Sequence, residues 1–175
     1  PNFQFSVEVH PVVTSKAHLD ALVSLGFSRL SVGIQDFDPE VQRLINRNQT
    51  FEQTREVIEY AREVGFRSIS IDLIYGLPKQ SLNSVRNTME YVKLLKPDRI
   101  SFYSYAHVPW KSPGQRLYDA SDLPTGEDKR ALYEAGRENL ASFGYKELGM
   151  DHFALPQDAL FQAADSHTLH RNFMG

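Results

Sequence analysis

The chain of 175 residues contains no cysteine, which excludes disulfides, thiolate catalysis, zinc ribbons and any cysteine-ligated cluster built from these residues. Long apolar runs are also missing. Nothing approaches the roughly 20 residues needed to cross a bilayer, and no charged-then-apolar leader precedes a small-residue cleavage site. There is no excess of one charge either: acidic and basic residues interleave to a formal net charge of −3. That balance argues against a polyanion-binding patch or a basic membrane-surface helix, so neither nucleic acid nor membrane is an expected partner, and the cytoplasm is the expected compartment. No glycine-rich run with a Walker lysine is available to cradle a phosphate. No two of the six histidines stand two or four apart, and none has the carboxylate pairing that reads as a metal site.

What is present is 41% apolar and 11% aromatic residues, enough for one sizeable core and so for one domain or a large part of one. One alternation recurs along the chain. Phe5 to His10 alternates and is rich in β-branched residues, and Pro11 ends it; Thr14 then caps an apolar-periodic stretch to Leu25, closed by Gly26. Gly26-Phe27 leads into a second strand over 29–34, and Gly65-Phe66 into a third over 68–74. Between them Pro39 opens a short helix, Asn46-Arg47-Asn48 interrupts it, and a helix resumes from Phe51 to Val64. Ser84 to Leu95 reads as helix, Lys96-Pro97-Asp98 as turn and Arg99 to Ser104 as a fourth strand. Strand, helix, strand, helix implies parallel pairing with right-handed crossovers. After a proline-containing loop over 108–125, Glu127 to Phe143 is an amphipathic helix and Tyr145 to Phe153 is a candidate further strand.

The unusual residues fall where such α/β folds gather their chemistry, at or just past the C-terminal ends of strands. Glu8 alternates with Val7 and Val9; it is either a barrel-interior carboxylate that needs a donor or ligand, or a salt-bridged rim residue. Gln35 ends an apolar strand and can donate and accept at once, which suits a ribose, an amide or a carboxylate; it could equally be a polar residue leading into the next helix. Arg47 offers a planar fork for a carboxylate, or is simply solvated. Asp72 sits in the otherwise apolar Ile69 to Pro78 stretch, and burying it unpaired is costly, so it needs a partner. Gly76 lets the chain leave its strand sharply and bring backbone near whatever sits above the sheet. In Met150-Asp151-His152-Phe153, Asp and His form either a proton-handling pair or a capping Asp beside a satisfied core His.

Six stretches occur in order: Ser31 to Phe37, Val41 to Arg47, Ile71 to Gln80, Tyr105 to Pro109, Gly149 to Ala154 and Leu169 to Phe173. This ordered set resembles the oxygen-independent coproporphyrinogen III oxidases of the radical S-adenosylmethionine (SAM) superfamily, and the last two stretches, with Lys79-Gln80, set it apart from the related haem-chaperone branch. The resemblance implies a partial radical SAM β/α barrel, about four of six βα units, over 1–110, with a C-terminal α+β extension over 111–175.

It also implies an activity. Members of the family bind a [4Fe–4S] cluster and two SAM molecules and generate a 5′-deoxyadenosyl radical, which takes a hydrogen atom from a propionate side chain. The propionate then loses carbon dioxide and one electron and becomes a vinyl group; two such events convert coproporphyrinogen III to protoporphyrinogen IX in anaerobic haem biosynthesis. A reducing electron donor and a monomeric full-length enzyme are implied as well. Glu8 matches the contact to the cluster-bound SAM, and Gln35, Arg47, Asp72 and Ala106 match contacts to the second SAM. Ala106 would let an adenine approach backbone groups. The family's Cys-x-x-x-Cys-x-x-Cys loop and its glycine-rich SAM segment have no counterpart here. The expectation is therefore that these strands correspond to the third to sixth of six, that the chain is cut off upstream of Pro1 and after Gly175, and that alone it is inactive. The alternative is a cluster-free relative or haem-chaperone-like protein that binds haem or nucleotide without decarboxylation.

Overall fold

The computed structural model describes residues 4–170. Strands β1 (Phe5–Val9), β2 (Phe27–Gln35), β3 (Ser68–Tyr75) and β4 (Arg99–Ser104) pair in parallel, in chain order. The crossovers are helices α1 (Lys16–Ser24), α2 (Pro39–Leu44) with α3 (Phe51–Val64), and α4 (Leu82–Leu95). After two short 3-10 turns come α5 (Gly126–Ser142), β5 (Lys146–Gly149), β6 (His152–Ala154) and α6 (Ala159–Asp165). The sheet order is β1-β2-β3-β4-β6-β5.

Local chemistry sets the boundaries. Ser15, not Thr14, caps α1: its hydroxyl accepts from His18 N, while the Thr14 hydroxyl donates to His10 O at 2.8 Å. Thr50 and Gln53 form a reciprocal capping box on α3, and left-handed Gly65 closes it, with Phe66 N donating to Ala61 O at 2.9 Å. Helix α4 starts two residues earlier than the sequence pattern places it, because Ser81 supplies the cap to Ser84 N. The stretch 145–153 is not one strand but the hairpin β5–β6, antiparallel to β4; Met150 and Asp151 both take left-handed φ at its turn, as a tight hairpin requires.

Alternation along the strands divides the sheet into two unlike faces. One carries Leu30, Val32, Ile34, Ile69, Ile71, Leu73, Ile100, Phe102 and Phe153, all buried in a single core with residues of α1, α3, α4 and α5. The other carries polar groups in register: Glu8 beside Ser31, Gly33 beside Asp72, Asp72 beside Ser101, Ser101 beside His152. A parallel sheet flanked by helices on both faces would be apolar on both. This one has the sidedness of a barrel wall, with the polar face as its interior.

The C-terminal elements are built onto the same sheet. Arg99 Nε meets Asp158 Oδ1 at 2.6 Å with both side chains at least nine-tenths buried, and Ser68 Oγ donates to Asp158 Oδ2 at 3.2 Å. Helix α5 lies so close to β4 that a Cβ on Gly136 would stand 2.3 Å from Phe102 Cε1 and 3.1 Å from Met89 Cε. Alanine has the better intrinsic helix propensity by about 1 kcal/mol. We nevertheless expect Gly136→Ala to destabilise the protein by about 1–3 kcal/mol through overpacking, read as a lower urea midpoint; an unchanged or higher midpoint would contradict this packing.

Candidate functional site

The polar face is densest where β1, β2 and β3 end. Gln35, the last residue of β2, has φ 72, and the pairing of β2 with β3 shifts register between Gly33 and Gln35. This kink turns the Gln35 side chain back over Gly33. A Cβ placed on Gly33 would lie 3.4 Å from Gln35 Nε2, 3.3 Å from Arg47 Nη2 and 3.5 Å from Glu8 Oε1. Three of the sequence-predicted residues thus converge on one point, and only glycine leaves that point open. Asp72 lies beside Gly33 on the next strand and accepts from Ser31 Oγ at 3.1 Å.

Arg47 reaches this point from the loop after α2. Its Nη1 donates to Gly33 O at 2.8 Å and to Gln49 Oε1 at 3.3 Å. Burial pushes its pKa down, and the negative charges of Glu8 and Asp72 pull it back up; a guanidinium stays protonated under both influences. The partner that Asp72 requires is therefore the Ser31 hydroxyl, with the Arg47 charge nearby. His10, just past β1, has its pKa lowered first by burial and then by Arg47.

A set of glutamines fixes the rim, and the residue patterns gave no hint of it. Gln49 Nε2 donates to Ile34 O at 2.8 Å, Gln42 Nε2 to Asp36 O at 2.8 Å, and Gln49 N to Gln42 Oε1 at 2.9 Å. With Arg47 on Gly33 O, side chains from 42–49 hold the carbonyls on both sides of Gln35. Gln42 and Gln49 are buried, and only the folded topology brings them under β2.

Ala106 stands on the same rim, past β4, but makes no hydrogen bond or ion pair with the other four among the described residues. It is exposed, its carbonyl accepts from Gln115 Nε2 at 3.2 Å, and Val108 N donates to Gln115 Oε1 at 2.5 Å. Beside it the phenols of Tyr105 and Tyr118 are hydrogen-bonded, with His107 Nδ1 3.4 Å from the Tyr105 oxygen; burial and that bond raise the Tyr105 pKa. What approaches Gly76 (φ 86) is a side chain. Lys129 Cε would stand 2.4 Å from a Cβ there, and its Nζ donates to Tyr105 O at 2.6 Å. His152 Nδ1 donates to Met150 O at 2.6 Å and packs edge-on to Tyr103, while Asp151 occupies the hairpin turn, so no Asp–His pair forms. Arg171 to Phe173, the end of the last family-like stretch, lie outside the described residues.

A cation, two carboxylates and an amide around an open glycine suit a ligand with a carboxylate, an ammonium and hydroxyl groups, and so fit SAM. No group of three His, Cys, Asp or Glu among the described residues could hold a metal ion, and with no cysteine in the sequence the chain does not supply thiolate ligands for an iron–sulfur cluster.

A half-barrel of parallel βα units with its polar groups gathered on a rim at the strand ends is the class of protein defined by fold and site. The family model described as the radical SAM superfamily matches residues 1–92, and the chain belongs to that superfamily. It is 46% identical over 171 residues to the oxygen-independent coproporphyrinogen III oxidase of Pseudomonas aeruginosa, covering 98% of this chain and 37% of the relative. The Escherichia coli enzyme of the same name is also 46% identical, over 180 residues, covering 99% and 39%. The chain thus spans less than two fifths of these relatives. The solved structure of coproporphyrinogen III oxidase from Escherichia coli superposes with a TM-score of 0.94 at 45% identity, covering 98% of this chain and 40% of that one. An archaeal Elp3 from Methanocaldococcus infernus shares the fold, with a TM-score of 0.61 at 17% identity.

Deleting the guanidinium by Arg47→Ala should raise the His10 pKa toward its ordinary 6.5, since the cation favours neutral imidazole there. Histidine ring-proton NMR during a pH titration would read this, and a downward shift would contradict the placement of Arg47.

Proposed function

We propose that this chain is the SAM-binding half-barrel of an oxygen-independent coproporphyrinogen III oxidase. The full-length enzyme would convert two propionate side chains of coproporphyrinogen III to vinyl groups. The observation that carries this reading is the convergence of Glu8, Gln35 and Arg47 on Gly33, with Asp72 alongside. In it Arg47 grips the methionine carboxylate of one SAM, Asp72 accepts from an ammonium or ribose hydroxyls, Gln35 orients the same molecule, and Ala106 leaves room for adenine against backbone. Glu8 faces a second SAM from the edge strand. Bound SAM supplies the hydrogen-abstracting chemistry once it is reduced; the part of these residues is to hold it fixed and to keep water out. Cluster ligands and the electron donor come from outside this chain.

The same proposal takes residues 1–110 as barrel and 111–175 as an extension, and the full-length protein as a cytoplasmic monomer. No described helix is long and apolar enough to cross a membrane.

The reading is tested on the full-length protein without oxygen, with reductant, SAM and coproporphyrinogen III, following protoporphyrinogen IX and carbon dioxide. Wild type should decarboxylate, and Arg47→Ala should weaken SAM binding about 10- to 100-fold, the effect of losing hydrogen bonds between charged groups. A full-length protein that binds SAM or haem but never releases carbon dioxide would be a binding relative, and the oxidase assignment would fall.

A further inference from the structure

Asp36, the residue after Gln35, is fully buried, and no lysine, arginine or histidine pairs with it among the described residues. Its carboxylate is held by neutral donors alone. Oδ1 accepts from Asp38 N at 2.7 Å and from Thr88 Oγ1 at 2.8 Å, and Oδ2 accepts from Gln80 Nε2 at 2.5 Å. Thr88 is a residue of α4, and its oxygen also accepts from Phe37 N at 3.2 Å. Gln80 in turn manages the exit of β3: Nε2 donates to Ile74 O at 2.9 Å, and Oε1 accepts from Gly76 N at 2.6 Å and Leu77 N at 3.2 Å. One buried carboxylate therefore joins the end of β2, the end of β3 and helix α4.

Such a group is costly to bury. Desolvation raises the Asp36 pKa, opposed by these hydrogen bonds. Apolar side chains could fill the same space without that cost, but they would not fix direction. What the carboxylate fixes is the left-handed turn that aims Gln35 over Gly33, and the distance from that turn to the strand bearing Asp72.

We propose that Asp36, Gln80 and Thr88 are positioning residues, a brace that sets the affinity of the rim for SAM without touching it. This rests on reading the rim as a SAM site. The brace acts on two ligand-facing residues at once, so its loss should weaken binding rather than merely lower stability.

The test is calorimetric titration of SAM into the full-length protein, the relevant site being the binding step that Arg47→Ala weakens. Thr88→Val deletes the hydroxyl at nearly constant volume and leaves both Asp36 Oδ1 and Phe37 N short of a partner. It should weaken that step about tenfold, whereas Thr88→Ser, which keeps the hydroxyl, should stay within about twofold of wild type. Asp36→Asn points an amide N–H at either Asp38 N or the Gln80 amide and should weaken binding at least as much; if it does not fold, the Thr88 pair decides. Wild-type affinity in Thr88→Val, with only a lowered melting temperature, would overturn the brace as a determinant of binding. If Arg47→Ala weakens no step, the SAM reading falls, and the proposal with it.

Discussion

The carbonyls at the end of β2 determine how the rest of the rim is built. Gly33 O, Ile34 O and Asp36 O accept from Arg47, Gln49 and Gln42, all supplied by one short stretch that runs from within α2 into the loop after it. Buried backbone polar groups must be paired, and pairing these with side chains fixes the loop as tightly as a neighbouring strand would. Arg47 does two jobs through one guanidinium: it holds Gly33 O with Nη1 and presents Nη2 to the open point above Gly33. The placing of the guanidinium above Gly33 and the termination of the strand are thus the same interaction.

The sheet gives this arrangement its setting. Its helices cover one face, and the alternation of strand residues leaves serines, carboxylates and His152 on the other, so that face presents prepaired polar groups rather than a core. The proposed radical chemistry would ask for a site that does not shift while a reactive species exists. A rim whose strand ends are tied to one another through buried amides and a carboxylate answers that demand better than loops held only by packing.

Much of this was legible in the residues. The period-2 stretches fixed the four parallel strands to within a few positions, and Glu8, Gln35 and Asp72 stood out because a polar group at the end of an apolar strand needs a reason. Arg47 was a candidate as a planar fork in a polar loop, and the resemblance added Ala106. The second half of the chain is less legible. The hairpin β5–β6 was merged into one strand because its turn uses Met150 and Asp151 rather than glycine. Helix α6, seven residues long, carries too little periodicity to register. Asp36, Gln42, Gln49, Gln80 and Thr88 are invisible to pattern reading for a different reason: each looks like an ordinary surface polar residue until distant segments close over it.

Gly76 and Lys129 extend the picture to the order of assembly. The lysine's methylenes occupy the space a side chain at Gly76 would need, and its ammonium group closes onto Tyr105 O. The loop leaving β3 is therefore moulded by a residue of α5, far downstream. During synthesis every strand bearing Glu8, Gln35 and Asp72 emerges before α5 exists, yet one wall of their rim takes its final form only when that helix docks. Completion of the rim is in this sense a late, non-local event, and slow docking of α5 would delay it even in a chain whose parallel sheet is already complete.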